Sequence, residues 1–95
     1  MEFALGNVLL QLGSVDKRAF SPSGSQGASQ TWSIGFDSSF SEVPAVFITV
    51  NGDSPNTAAV AIAEDITKSG FKLVARNLED RAGSAGFVWL AIGKR

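Results

Sequence analysis

Cysteine and histidine are both missing from the 95 residues. Without cysteine there are no disulfides and no thiolate chemistry, and the redox compartment leaves no mark on the sequence. Without histidine the chain lacks the commonest general base and the commonest transition-metal ligand. No apolar run approaches the roughly 20 residues of a membrane-spanning helix, so membrane insertion is not expected. The first residues form no basic leader, and Glu2 stands where a signal peptide would carry positive charge. Charge of one sign is also scarce, with a net of −1. The eight basic residues (Lys17, Arg18, Lys68, Lys72, Arg76, Arg81, Lys94 and Arg95) are scattered and form no stripe. Nucleic acid is therefore not an expected partner. Neither a cofactor nor a metal is expected.

What is present is apolar and short-ranged. Hydrophobic residues make up 44% of the chain, which suits a globular fold, and the length suits one domain over 1–95. A domain of this size buries only about two-thirds of its unfolded surface. With no disulfide or metal as a staple, oligomerisation is the remaining usual source of stability.

The organising stretch is Gly70 to Gly93, with a partner from Phe36 to Val50. Gly70–Arg76 alternates apolar and polar, the pattern of a strand with one wet side, whereas Phe87–Ile92 is apolar on both faces. Together they predict a hairpin with a polar loop between them. Earlier in the chain, Phe3–Leu12 is a strand candidate whose leucines would also suit a short helix, but Gly6 and Gly13 argue against helix. Residues 14–29 have turn and loop composition. Trp32, Ile34 and Phe36 alternate with Ser33 and Gly35, which predicts a strand facing a core. Pro44 ends a corner and precedes a strand over Ala45–Val50.

Thr57–Ala63 has the alanine content of a helix, but its length and bounding turns favour a strand. That strand would carry Ala58, Val60 and Ile62 on one face. Ala59, Ala61 and Ala63 on the other would let a second backbone or subunit approach. Gly70 is expected to adopt a φ that larger residues resist. Six short strands with no convincing helix indicate an all-β antiparallel sandwich or barrel.

The order Phe36…Phe40…Val43-Pro44-Ala45-Val46, then Ile66-Thr67-Lys68-Ser69-Gly70-Phe71, then Val88-Trp89-Leu90-Ala91-Ile92-Gly93, resembles the H-type lectin domain over roughly residues 30–93. The resemblance implies a six-stranded antiparallel β-sandwich that assembles as a homotrimer. It also implies binding of a cell-surface glycan, typically galactose or N-acetylgalactosamine, between neighbouring subunits. Similar domains occur in invertebrate and slime-mould agglutinins and at phage tail-fibre ends, which implies an extracellular or virion-surface location. The apolar second face of the last strand (Val88, Leu90 and Ile92) suits such an assembly.

The family's site residues do not carry across. Its aromatic–histidine pair falls at about Leu78 and Glu79, and its fourth-strand arginine at Ala59 or a neighbour. Its first-loop acidic residue has no counterpart within 21–30. The expected ligand contacts are therefore Asn77, Glu79, Asp80 and Arg81 in the last polar loop, joined by Asp53 and Asn56 in the 51–56 turn. Their amides, carboxylates and guanidinium supply the paired hydrogen bonds that sugar hydroxyls need.

The same loop residues can also be read as solvated and inert. Glu64 and Asp65 lack calcium-loop spacing, and the adjacent Glu79 and Asp80 are poorly placed as a glycosidase pair. No catalytic residue is expected. Trp32 and Trp89, whose rings are of a kind that stacks on sugars, alternate with apolar neighbours as core residues do. A sugar-binding module is the reading preferred. A structural virion cap or trimerisation domain is the alternative.

Overall fold

The computed structural model describes residues 1–19, 29–52, 59–78 and 84–95. Among them it forms seven strands: β1 (Glu2–Leu5), β2 (Val8–Ala19), β3 (Ser29–Gly35), β4 (Ala45–Gly52), β5 (Ala59–Glu64), β6 (Gly70–Asn77) and β7 (Ser84–Lys94). A four-stranded sheet in the order β1-β2-β7-β4 faces a three-stranded sheet in the order β3-β6-β5. Every pairing is antiparallel, so the fold is an all-β sandwich.

Seven strands replace the expected six because the first segment folds back on itself. Leu5 pairs with Val8, which leaves Gly6 and Asn7 as the two-residue connection. Gly6 has φ of 63° and Asn7 has no positive φ, as in a type II′ hairpin turn. The loop expected from residue 14 also begins later. β2 continues to Ala19, with Val15 opposite Phe87 but Arg18 opposite Ala85. Three steps on β2 match two on β7, so a β-bulge interrupts the ladder there. The long polar stretch thus contributes a strand end before residues 20–28, which lie outside the described residues.

A second correction concerns 70–93. β6 pairs with β3 and β5, while β7 pairs with β2 and β4. The two strands are therefore not a hairpin, and the chain between them passes from one sheet to the other. The partner expected for this stretch does lie beside it, since Ala45–Gly52 runs along β7.

The core lies between the sheets. Leu9 and Val15 of β2, Phe71, Leu73 and Ala75 of β6, and Ala85, Phe87, Trp89 and Ala91 of β7 all point inward and are buried. Both tryptophans belong to this interior. Trp89 packs against Phe36 and Phe71 at ring distances of 5.8 and 5.4 Å, and Trp32 lies 5.7 Å from Phe87. Each such aromatic pair contributes about 0.5–1.5 kcal/mol beyond its buried area. Gly13 is paired with Trp89, and its missing side chain leaves the space that the indole fills. The alanine face of β5 also turns inward, packing Ala59, Ala61 and Ala63 on this core rather than on another subunit.

One end of the sandwich is closed by cross-links. Phe40 is buried in the corner before β4, against Phe36 at 5.1 Å. Backbone bonds run from Phe36 N to Ser69 O and from Phe40 N to Lys68 O. Gln11 is a buried polar residue that the sequence did not flag, being only 1% exposed. Its Oε1 accepts from Asp37 N at 2.7 Å and its Nε2 donates to Ser38 O at 2.7 Å, tying β2 to the corner.

The Thr67–Gly70 turn is held by Thr67 Oγ1, which accepts from Ser69 N and Gly70 N at 3.2 Å each. The expected positive φ at Gly70 is absent. Positive φ falls instead on Asp65, at 51°, a residue type that tolerates it. Gly70 is glycine for a different reason, because a Cβ there would collide with the carbonyl oxygen of Ile34.

Candidate functional site

At the opposite end of the sandwich, strands of both sheets begin and end. In the three-stranded sheet, Ser29 opens β3 opposite Arg76, and Ala59 opens β5 opposite Asn77. In the four-stranded sheet, Ala19 closes β2 opposite Ser84, and Gly52 closes β4 opposite Ala85. The connections between β2 and β3, β4 and β5, and β6 and β7 therefore all leave from this end. Asp53 and Asn56 belong to the second connection, and Glu79, Asp80 and Arg81 to the third. These five residues lie outside the described residues.

Asn77 is described, and it does not stand at a tip. It has the parity of Phe71, Leu73 and Ala75 and points between the sheets, only 1% exposed. A buried amide of this kind is hydrogen-bonded, and Asn77 has a partner. Its neighbour Leu78 turns outward and is exposed. Gln30 shares the inward parity of Trp32 and Ile34 on β3. Its Oε1 is enclosed without a hydrogen-bond partner among the described residues. Asn77 and Gln30 make this end of the interior polar, in contrast to the aromatic packing further along.

Elsewhere, charged residues meet in exposed surface pairs. Lys72 meets Asp65 at 3.3 Å and Lys94 meets Glu42 at 3.3 Å, all well exposed and worth little. Glu64 and Asp65 gain no further acidic partner, and no group of three or more possible metal ligands exists among the described residues. Among those residues there is also no helix long and apolar enough to cross a membrane.

The outer faces of the two sheets differ. On the four-stranded sheet, Phe3, Leu10, Ile92 and Ala45 stand side by side across all four strands, and Leu12, Leu90 and Phe47 form the next row. Phe47 is 59% exposed, and Phe3, Val88 and Ile92 are exposed as well. β7 was expected to be buried on both faces. In the single chain only its inner face is. The outer face of the three-stranded sheet holds a shallow depression of about 200 Å³, lined by Val60, Ile62, Val74 and Arg76. Val60 and Ile62 were expected together on one face, without a site there. The signal that could have found it was the outward parity of Val74 and Arg76.

Comparison with known proteins agrees with this architecture. The sequence model of the H-type lectin domain matches residues 31–92. No curated protein matches the chain at a significant level. Among solved structures, the P. aeruginosa R1 pyocin fibre (C-terminal residues 323–701) superposes with a TM-score of 0.69 at 18% identity, covering 90% of this chain and 23% of that one. Discoidin II of Dictyostelium discoideum gives 0.68 at 20% identity, covering 94% and 38%. The tailspike protein gp49 of Pseudomonas phage LKA1 gives 0.71 at 22% identity, covering 90% and 15%. The chain thus spans well under half the length of each of these structures.

Proposed function

The chain belongs to the H-type lectin domain family, and on that premise we propose that it is a non-catalytic, trimeric carbohydrate-binding module of a fibre or tailspike at a virion surface. The observation that carries the reading is the convergence of three strand connections at one end of a sandwich whose other end is closed. Asp53, Asn56, Glu79, Asp80 and Arg81 enter the reading through those connections. Loops held by rigid strands present ligand groups at little ordering cost. Because β6 and β7 sit in different sheets, the connection that carries residues 79–81 joins one sheet to the other. Arg81 donates and Asp80 accepts, so the pair can grip adjacent sugar hydroxyls, while Asn77 supports the strand end from inside.

Trimerisation is supported by the apolar outer face of the four-stranded sheet. Its exposed Phe47, Val88 and Ile92, with Leu90 between them, form a patch that a lone domain would leave wet. Placed toward a threefold axis, this face would be covered and the loop ends would point the same way. Discoidin II and the pyocin and phage fibres share the fold, which is the support for a glycan ligand and a surface location.

A glycan array on the wild type, followed by Asp80→Ala with Arg81→Ala, tests the reading. Binding weakened at least tenfold, about 1.4 kcal/mol, with an unchanged melting temperature is the expected result. Unchanged binding by the double variant would move the site elsewhere. The second reading, a structural cap, is favoured by the absence of the family's aromatic–histidine pair at Leu78 and Glu79. Silence of the wild type across a broad array would select it.

A further inference from the structure

The depression lies on the outer face of the three-stranded sheet, where β5 begins and β6 ends, and apart from the apolar face assigned to assembly. It is built from two adjacent cross-strand pairs, Val60 opposite Arg76 and Ile62 opposite Val74. Its floor is aliphatic, with Ile62 54% exposed. Arg76 stands exposed at one end and has no ion pair or side-chain hydrogen bond among the described residues. The next cation on its strand, Lys72, is by contrast taken up by Asp65. On the other side of β6, Ser29 lies opposite Arg76 and Thr31 opposite Val74, both exposed. An apolar floor, an unpaired guanidinium and two hydroxyls therefore share one surface.

We propose that this surface is a second carbohydrate subsite, in which Arg76 pairs with the carboxylate of an acidic sugar whose C–H face rests on Val60, Ile62 and Val74. The proposal rests on the reading of the chain as a glycan binder and extends it to a ligand class. A guanidinium meets a carboxylate through two parallel hydrogen bonds, which a neutral hydroxyl cannot match. Ser29 and Thr31 supply donors and acceptors for ring hydroxyls. The volume of about 200 Å³ is below the ~300 Å³ at which drug-sized sites begin and suits a single ring. Charge decides between ligands here, because the site has one cation and its floor offers no carboxylate of its own.

The test is a methyl-region NMR titration of the full chain with methyl β-D-glucuronide, and with methyl β-D-glucoside as the neutral control. The glucuronide is expected to shift the methyl signals of Val60, Ile62 and Val74, and the glucoside is not. Arg76→Gln should weaken the glucuronide at least tenfold, Arg76→Lys less, and both should keep the wild-type melting temperature. Asp80→Ala with Arg81→Ala should leave these shifts unchanged. Persistence of the glucuronide shifts in that double variant, alongside a silent neutral-glycan array, would uphold this subsite while the loop reading fails. Equal shifts from both sugars would overturn the proposal, as would an Arg76→Gln variant of unchanged affinity. If Ile62→Glu dissociates the assembly, the face is a contact between copies and the proposal is also overturned.

Discussion

Replacing Gly13 with alanine sets two effects of opposite sign against each other. Glycine inside a strand is ordinarily a liability of about 0.5–1 kcal/mol relative to alanine, mostly through the entropy of the unfolded chain. On that ground alone Gly13→Ala should stabilise. The structure says otherwise, because a Cβ at residue 13 would fall within the Cζ2, Cε2 and Nε1 atoms of the Trp89 indole. The indole has little room to withdraw, with Phe36 and Phe71 packed against it at 5.8 and 5.4 Å. Overpacking of this kind costs about 1–3 kcal/mol. Set against the entropic gain, the net loss is about 0–2.5 kcal/mol, and at its centre of about 1 kcal/mol it lowers the melting temperature of a domain of this size by ~4–8 °C.

Thermal unfolding followed by circular dichroism, at one fixed protein concentration because self-association shifts melting, reads this directly. An alanine variant that melts at or above the wild type would refute the reasoning. A Trp89→Phe background supplies the control. The smaller phenyl ring lacks the indole's Nε1 and Cζ2, so the alanine penalty should shrink there, and an undiminished penalty would show that the contact is not its cause.

Three further outcomes follow from the packing and the exposed face. Trp89→Ala should cost about 3–5 kcal/mol and unfold much of the population in a chemical-denaturation series; a folded variant that loses only glycan binding would make Trp89 a sugar platform. Gln11→Ala leaves the corner at Asp37 and Ser38 without its buried partner and should cost about 1–3 kcal/mol by urea unfolding, whereas a neutral result would mean that water replaces the amide. Val88→Glu places a charge on the outer face of β7, where burying it unpaired costs several kcal/mol. In sedimentation it should lower the mass from about three times the 9.9 kDa chain to a folded monomer, and a variant that stays trimeric would remove that face from the interface.

Much of the sandwich was legible because its strands alternate cleanly. Trp32, Ile34 and Phe36, or Phe71, Leu73 and Ala75, declare an inner face by parity alone. The β1–β2 turn was written in Gly6-Asn7, but an uninterrupted apolar run on both sides of it read as one segment. The end of β2 was hidden by its polar residues, since Ser14 and the residues up to Ala19 follow a ladder set by β7 rather than an alternation of their own. Pairing between β6 and β7 was misjudged because adjacency in sequence says nothing about which sheet a strand joins. Gln11 looked like a surface residue, and only its three-dimensional neighbours, the backbone groups of Asp37 and Ser38, explain its burial. Asn77 was read as a ligand contact for the same reason. Its parity with Phe71 was the available clue.

The separation between a closed end and a connection-bearing end has an evolutionary and practical consequence. The described core side chains come from the strands and from the Phe40 corner, whereas positions 20–28, 53–58 and 79–83 join strands at the opposite end. On the proposed reading, changes of recognition chemistry at those positions leave the described core contacts in place, much as interchangeable heads fit one handle. Solved structures sharing about a fifth of their residues with this chain keep the same handle. A combinatorial library diversified at those three segments, displayed on this scaffold, would explore new targets without redesigning its interior.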